Sequence, residues 1–226
     1  MEKYAIIVAG GSGIRMGLGV PKQFLLLRNK PLLAYPVTAF LKAYPDIWII
    51  LVLPEQFMQS GKDILPFIPS TQRLVITEGG STRFQSVQKG LQHVPPESVV
   101  FVHDGVRCLV TTDLIQRCYE AALVHGNAIP AVSAVDSIRI ETINGSETAD
   151  RTKVKVIQTP QAFFSERLKK AYLQNYEDLF TDDASVLESS GEKIYLVEGD
   201  YTNIKITRQI DLVLAEQILA EREHTS

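Results

Sequence analysis

Apolar and polar positions along this chain follow two alternating rhythms. Tyr4–Val8, Ile47–Leu53 and Val99–His103 are near-continuous apolar runs, as expected of buried strands, and Arg73–Thr77 and Ala128–Val132 are shorter runs of the same kind. Between them the spacing becomes helical. Pro31–Lys42 sets Leu32, Leu33, Val37, Phe40 and Leu41 on one side. Pro54 to about Ile64, Thr82–Leu91 and Thr111–Val124 also read as helices, the last with Thr111 or Thr112 as N-cap. This alternation predicts an α/β protein with a mostly parallel sheet flanked by helices.

The rhythm changes after residue 133. Ser137–Glu141 alternates polar and apolar, Asn144-Gly145 is a hairpin turn signal, and Lys153–Ile157 alternates again. These segments predict a two-stranded arm. An isolated hairpin is marginal in water, so the arm packs either on its own domain or on a second copy of the chain. Beyond it, helices are expected near Ser165–Tyr176 and after Thr181-Asp182-Asp183, and a strand at Ile194–Val197. A last amphipathic helix, about Arg208–Glu221, carries Ile210, Val213, Leu214, Ile218 and Leu219.

Composition narrows the class. A chain of 226 residues with 45% hydrophobic content suits one α/β domain. A net charge of −3 disfavours a general nucleic-acid surface. Cys108 and Cys118 lack metal-knot spacing and read as buried thiols of a reducing compartment. We see no secretory leader and no run long enough to span a membrane, so a cytoplasmic protein is expected.

The candidate chemistry gathers where strands end. Val8-Ala9-Gly10-Gly11-Ser12-Gly13-Ile14-Arg15-Met16, completed by Pro21-Lys22-Gln23, follows the first strand. Bare amides beside two cations suit a polyphosphate. No Lys-Ser or Lys-Thr stands where a P-loop needs it, and the glycines are out of register for a dinucleotide fingerprint. A second glycine turn, Gly79-Gly80-Ser81-Thr82, opens a helix, which alone is no more than a capped helix start. His103-Asp104-Gly105-Val106-Arg107 ends a central strand, where open α/β sheets bind ligands. Asp104 is the candidate ligand for a hard cation, His103 reads as structural, and Arg107 either clamps a phosphate or supports Asp104. Ser137 and Arg151 on the arm are, on spacing alone, a solvated hairpin edge, and Lys205 is an edge-strand charge.

Five motifs change that reading. A-G-G-x-G-x-R-M with P-K-Q, G-G-x-x-R-x-x-S-V, H-D-x-x-R, T-P-Q and N-I-K-x-T run in order from about Ala5 to the last helix. Together they resemble the 2-C-methyl-D-erythritol 4-phosphate cytidylyltransferases, nucleotidyltransferases that join a nucleoside triphosphate to a sugar or polyol phosphate. The resemblance implies a Rossmann-like three-layer fold, a single domain over residues 1–226, and a protruding β-hairpin arm over 133–157 that makes a homodimer. It implies transfer of the cytidylyl group of CTP to 2-C-methyl-D-erythritol 4-phosphate with loss of pyrophosphate, in non-mevalonate isoprenoid biosynthesis; another polyol phosphate, such as ribitol 5-phosphate, is the alternative acceptor. It implies catalytic roles for Arg15, Lys22, Lys205 and Arg151. Nucleotide contacts would come from Ala9, Gly10, Gly11, Gly13, Gly80, Ser81, Ser86, Asp104 and Gly105, and acceptor contacts from Arg107, Ser137, Arg151, Thr159 and Lys205. Asp104 would hold Mg²⁺, and neither nucleic acid nor membrane is a partner. Cys108 stands where the family pattern H-D-x-x-R-P has proline.

Overall fold

In the computed structural model, residues 1–10 and 21–224 are described. The apolar run Lys3–Val8 (β1) lies at the centre of the sheet, hydrogen-bonded on one side to Trp48–Leu53 (β4) and on the other to Val99–Asp104 (β6), both parallel to it. Leu26–Leu27 (β2) and Lys30–Pro31 (β3) form a separate two-residue ribbon. Leu74–Glu78 (β5) extends the sheet beyond β4, again parallel. Past β6 come Gln161–Phe164 (β11), antiparallel, and then Asn127–Ser133 (β7). Lys155–Ile157 (β10) pairs antiparallel with β7, and Leu196–Glu198 (β12) pairs parallel with it. The sheet therefore grows away from β1 in two directions, and the reversal falls between β1 and β6.

Alternation along β1 explains the layers. Ala5 and Ile7 face one core, shared with Val37, Phe40 and Leu41 of helix α1 (Ala34–Ala43) and Leu114, Ile115 and Cys118 of helix α4 (Thr112–His125). Tyr4, Ile6 and Val8 face the other, shared with Phe84 and Val87 of α3 (Arg83–Leu91), Leu168 of α5 (Ser165–Ala171) and Val186 of α6 (Asp183–Ser189). This is the three-layer α/β architecture that the alternating pattern predicts. A satellite cluster of Leu27, Leu32, Val106, Cys108, Leu109, Ile206 and Ala215 lies under the last helix, α7 (Gln209–His224). Cys108 is buried there, so the thiol fills an apolar site where the family pattern has proline.

Several boundaries move. The expected helix from Pro54 is a 3₁₀ turn, Glu55–Phe57, followed by the short helix α2 (Met58–Lys62). The apolar pattern does not predict strand β11. In the arm, Ile138–Thr142 (β8) pairs with Gly145–Ala149 (β9), not with Lys153–Ile157. That second alternating run instead supplies β10 of the main sheet, so the free hairpin is confined to Ile138–Ala149 within the expected 133–157. On α7, Ala215 is the buried position, whereas Ile210, Val213 and Leu214 face outward. Among the described residues, no helix is long and apolar enough to cross a membrane.

Candidate active site

Val8 of β1 is paired with Asp104 of β6, so the reversal of strand order places both carboxyl ends side by side. This is where open α/β sheets bind ligands. Gly105 makes the close approach possible: its N–H donates to the Val8 carbonyl at 2.9 Å, and a Cβ there would come within 2.7 Å of Leu33. A cavity of about 290 Å³ opens at this point, lined by Ala9, Gly10, Lys22, Gly80, Ser81, Ser86, Asp104 and Lys205, among others. Thus seven of the positions named from the sequence (Ala9, Gly10, Lys22, Gly80, Ser81, Ser86 and Lys205) meet around Asp104. Gly11, Gly13 and Arg15 lie outside the described residues.

Two loops shape this cavity. Lys22 starts a 3₁₀ turn, Lys22–Phe24, whose Gln23 is fully buried and donates to the Ala9 carbonyl at 2.8 Å. Gln23 therefore ties the lysine turn to the end of β1. The Gly79-Gly80 turn is fastened to α3. The Gly80 N–H donates to Ser86 Oγ at 3.1 Å, and that hydroxyl donates to the Thr82 carbonyl at 2.9 Å. Thr82 is the N-cap, accepting from the Gln85 N–H, and Gln85 Oε1 accepts from both the N–H and the hydroxyl of Ser81. Ser86 is thus a builder of the loop.

Asp104 is the electrostatic centre. Lys205 Nζ lies 2.8 Å from its Oδ2, Arg83 Nε 3.4 Å from its Oδ1, and Arg107 Nε 3.9 Å from its Oδ2. Burial would raise the carboxyl pKa, but Arg83, Lys205 and Arg107 outweigh it and hold the group well below the usual carboxylate range. Its charge is therefore permanent near neutral pH. A single ionised carboxylate facing a cavity meant for phosphate fits a hard divalent cation, which takes one or two carboxylates and completes its shell from phosphate oxygens and water. No group of three or more acidic, histidine or cysteine ligands that could form an all-protein cage occurs among the described residues.

A second cavity, also about 290 Å³, lies across Asp104. Arg107, Thr159, Gln161, Thr181 and Asp182 line it, and Arg83, Asp104 and Lys205 line both cavities. Arg107 spends its fork on the chain: Nη1 donates to the Asn203 carbonyl at 2.8 Å and Nη2 to the Ile157 carbonyl at 3.4 Å. Asn203 in turn donates to the Thr159 carbonyl at 2.9 Å. These bonds fix the segment that carries Lys205. The Thr159 hydroxyl accepts from the Asp104 N–H at 3.0 Å and lies 3.1 Å from His103 Nδ1. Burial pushes the His103 pKa down to about 4, so the ring is neutral. The hydroxyl donates to Nδ1, which assigns the proton to Nε2, and Nε2–H donates to the Arg107 carbonyl at 3.1 Å. His103 is structural, as expected, and Thr159 is a buried strut between two strand ends.

The arm residues stand apart. Ser137 is exposed, and Arg151 Nη1 donates to the Val135 carbonyl at 2.7 Å across the base of the hairpin. Neither lines the cavities of its own chain. Arg83 and Tyr172, to which the sequence assigns no role, join the site together with Asp183, which the sequence marks chiefly as a helix-start acid. Arg83 forks between Asp104 and Asp183, and Tyr172 donates to Asp183 at 2.6 Å. The sequence marks Arg83 in two ways, as the R of G-G-x-x-R-x-x-S-V and by its place in the first turn of a helix after two glycines.

A phosphate-ready cavity at the strand-order reversal of a mostly parallel sheet, with a buried carboxylate among cations, defines an α/β nucleotidyltransferase. The family profile "IspD: 2-C-methyl-D-erythritol 4-phosphate cytidylyltransferase" matches residues 4–221, and the chain belongs to that family. A protein of that name from Phocaeicola vulgatus is 45% identical over 219 residues, spanning 97% of this chain and 100% of the relative. The crystal structure of 4-diphosphocytidyl-2C-methyl-D-erythritol synthase from Anaerococcus prevotii superposes with a TM-score of 0.83 at 29% identity, covering 97% of this chain and 96% of the other. That of 2-C-methyl-D-erythritol 4-phosphate cytidylyltransferase from Thermus thermophilus gives 0.75 at 30% identity, covering 97% and 100%.

Proposed function

We propose that the chain transfers the cytidylyl group of CTP to 2-C-methyl-D-erythritol 4-phosphate, releasing pyrophosphate, as a step of isoprenoid biosynthesis. One observation carries the reading beyond family membership: two cavities of similar size share a wall made of Arg83, Asp104 and Lys205. One cavity takes the nucleotide and the other the acceptor, and the reacting phosphorus lies at the shared wall.

The acceptor phosphate is already anionic, so no general base is needed. Its oxygen attacks the α-phosphorus in line as pyrophosphate leaves, and the task is to bring anions together and stabilise charge. Lys22, with Arg15 from the glycine loop, neutralises the α-phosphate and the leaving group. The backbone of Ala9, Gly10 and Gly80, with Ser81, frames the nucleoside. Lys205 orients the acceptor phosphate. Asp104 would hold a divalent cation such as Mg²⁺, which would supply screening of negative charge on the nucleotide.

The arm completes the site from a second copy. Ile140 and Ile143 are exposed on a free hairpin, and Val135 is exposed beside it, an apolar surface that pairing of two chains would cover. In such a homodimer, Ser137 and Arg151 bind the acceptor phosphate in the neighbouring site, where a planar guanidinium suits two parallel hydrogen bonds. Water-soluble phosphorylated substrates fit a cytoplasmic enzyme. A pyrophosphate-release assay tests the reading. Turnover is expected with CTP and 2-C-methyl-D-erythritol 4-phosphate. Equal turnover with ribitol 5-phosphate, or none with the erythritol phosphate, would overturn the assignment of the acceptor.

A further inference from the structure

We infer that Arg83 is a catalytic residue, acting on the phosphoryl group at the border of the two cavities and held there by a buried Asp183–Tyr172 anchor. The inference rests on the reaction proposed above and adds a residue to it. Among the described residues, three line both cavities: Arg83, Asp104 and Lys205. A phosphorus atom that passes from one ligand to the other must sit against residues common to both. Arg83 is the member of that trio with no role assigned by the sequence motifs.

Its side chain is built in place. Arg83 opens α3, directly after the Thr82 N-cap. Nε faces Asp104 at 3.4 Å, and Nη2 donates to Asp183 Oδ2 at 2.7 Å. Asp183 is 0% exposed and Tyr172 2% exposed, and the tyrosine hydroxyl donates to the other carboxylate oxygen, Oδ1, at 2.6 Å. Phe84 stacks on the Tyr172 ring with centroids 4.6 Å apart, which fixes the phenol. A buried carboxylate needs compensation, and here it receives one full guanidinium bond and one phenol bond. The side chain of Arg83 is nonetheless 30% exposed, and its Nη1 makes no hydrogen bond to any described residue. The fork is thus anchored at one corner, turned to Asp104 by another, and has a third corner unused. A guanidinium so fixed supplies positive charge that needs no reorganisation when charge builds on the phosphoryl oxygens.

The test compares the wild-type enzyme with Arg83→Ala and Arg83→Lys. Steady-state kinetics with CTP and 2-C-methyl-D-erythritol 4-phosphate would be read alongside the folded fraction from circular dichroism. For Arg83→Ala, kcat is expected to fall about a hundredfold, the scale for removing one preorganised donor. KM for CTP should change less than about threefold. Guanidinium chloride at low concentration should restore part of the rate, and sodium chloride at equal ionic strength should not. A purely structural role would lower the folded fraction and give no rescue. If the alanine variant does not fold, Arg83→Lys decides: its single ammonium cannot span Asp104 and Asp183 together, so kcat should drop at least about tenfold. Near-normal kcat in Arg83→Lys, or a loss in Arg83→Ala that follows the folded fraction and ignores guanidinium, would overturn the inference. A wild-type enzyme inactive on these substrates would instead overturn the proposed reaction.

Discussion

Lys205 Nζ and Asp104 Oδ2 form a 2.8 Å ion pair at the place where the two cavities meet. The lysine is 44% exposed and the aspartate 11%, so the lysine is the partner that can move. Without ligand, the ammonium balances the buried carboxylate. A divalent cation held by Asp104 would compete with the ammonium for the carboxylate, which would leave Lys205 able to turn toward an acceptor phosphate. The two residues therefore act as one unit, and their effects should not add. Lys205→Ala and Asp104→Asn are each expected to lower kcat/KM by about a hundredfold or more. The double variant should fall within about tenfold of the worse single one. A full double-mutant cycle of kcat/KM checks this, and strict additivity would contradict the coupling.

Stability should depend on pH through His103. Burial lowers its pKa to about 4, against an unfolded value of about 6.5. Between these values the unfolded chain binds the proton and the folded chain does not, so stability is full above about pH 6.5 and declines as pH falls toward 4. The contribution lost is about 3 kcal/mol. Asp104 adds a loss at lower pH, since its depressed carboxyl pKa favours the folded state only while the group is ionised. Urea unfolding at pH 7 and pH 5 measures the first effect. His103→Gln should be less stable than the parent at pH 7 and should lose less between the two pH values. An identical slope in both proteins would rule out His103 as the source.

Ser86 tests the nucleotide loop. Its hydroxyl joins the Gly80 N–H to the Thr82 carbonyl, so Ser86→Ala removes both ties while the helix cap at Thr82 stays. The expected outcome is a rise of about tenfold in KM for CTP with a smaller change in kcat, since a loosened loop weakens binding in ground and transition states alike. Initial rates at varied CTP decide it.

Much of this architecture is legible in the sequence, for a physical reason. Strands β1, β4 and β6 are buried on both faces, so nothing interrupts their apolar runs. Strand β11 is not legible because it begins with Gln161, a fully buried amide satisfied from a distance. It donates to Asp182 at 2.7 Å and accepts from the Ala184 N–H at 2.9 Å. Lys153–Ile157 alternates as a free hairpin strand would, yet an edge strand with exposed Val156 has the same pattern, and the main sheet takes it. The glycine turns, Asp104 and Lys205 stand out as local motifs beside strand ends. Arg83 stands in one of those motifs, G-G-x-x-R-x-x-S-V, but its role is not legible there, because it comes from Asp183, 100 residues further along the chain.

The arm offers a test in which two damaged proteins repair each other. Arg151 lies at the base of the hairpin, whereas Lys205 lies in the core site. If the hairpin of one copy serves the site of the other, Arg151→Ala and Lys205→Ala homodimers each lack a needed cation in every site. In a mixed dimer, the core of the Arg151→Ala chain keeps Lys205 and receives an intact Arg151 from its partner, so one of its two sites is whole. Random mixing makes about half of the dimers mixed, so activity should recover to about a quarter of wild type. Arms acting within their own chains would give no recovery. Ile143→Glu adds a second check, since a charge on the exposed hairpin tip should shift the protein toward monomer in sedimentation velocity and lower activity in parallel. A monomeric wild type, or a mixture no more active than its components, would refute the shared site.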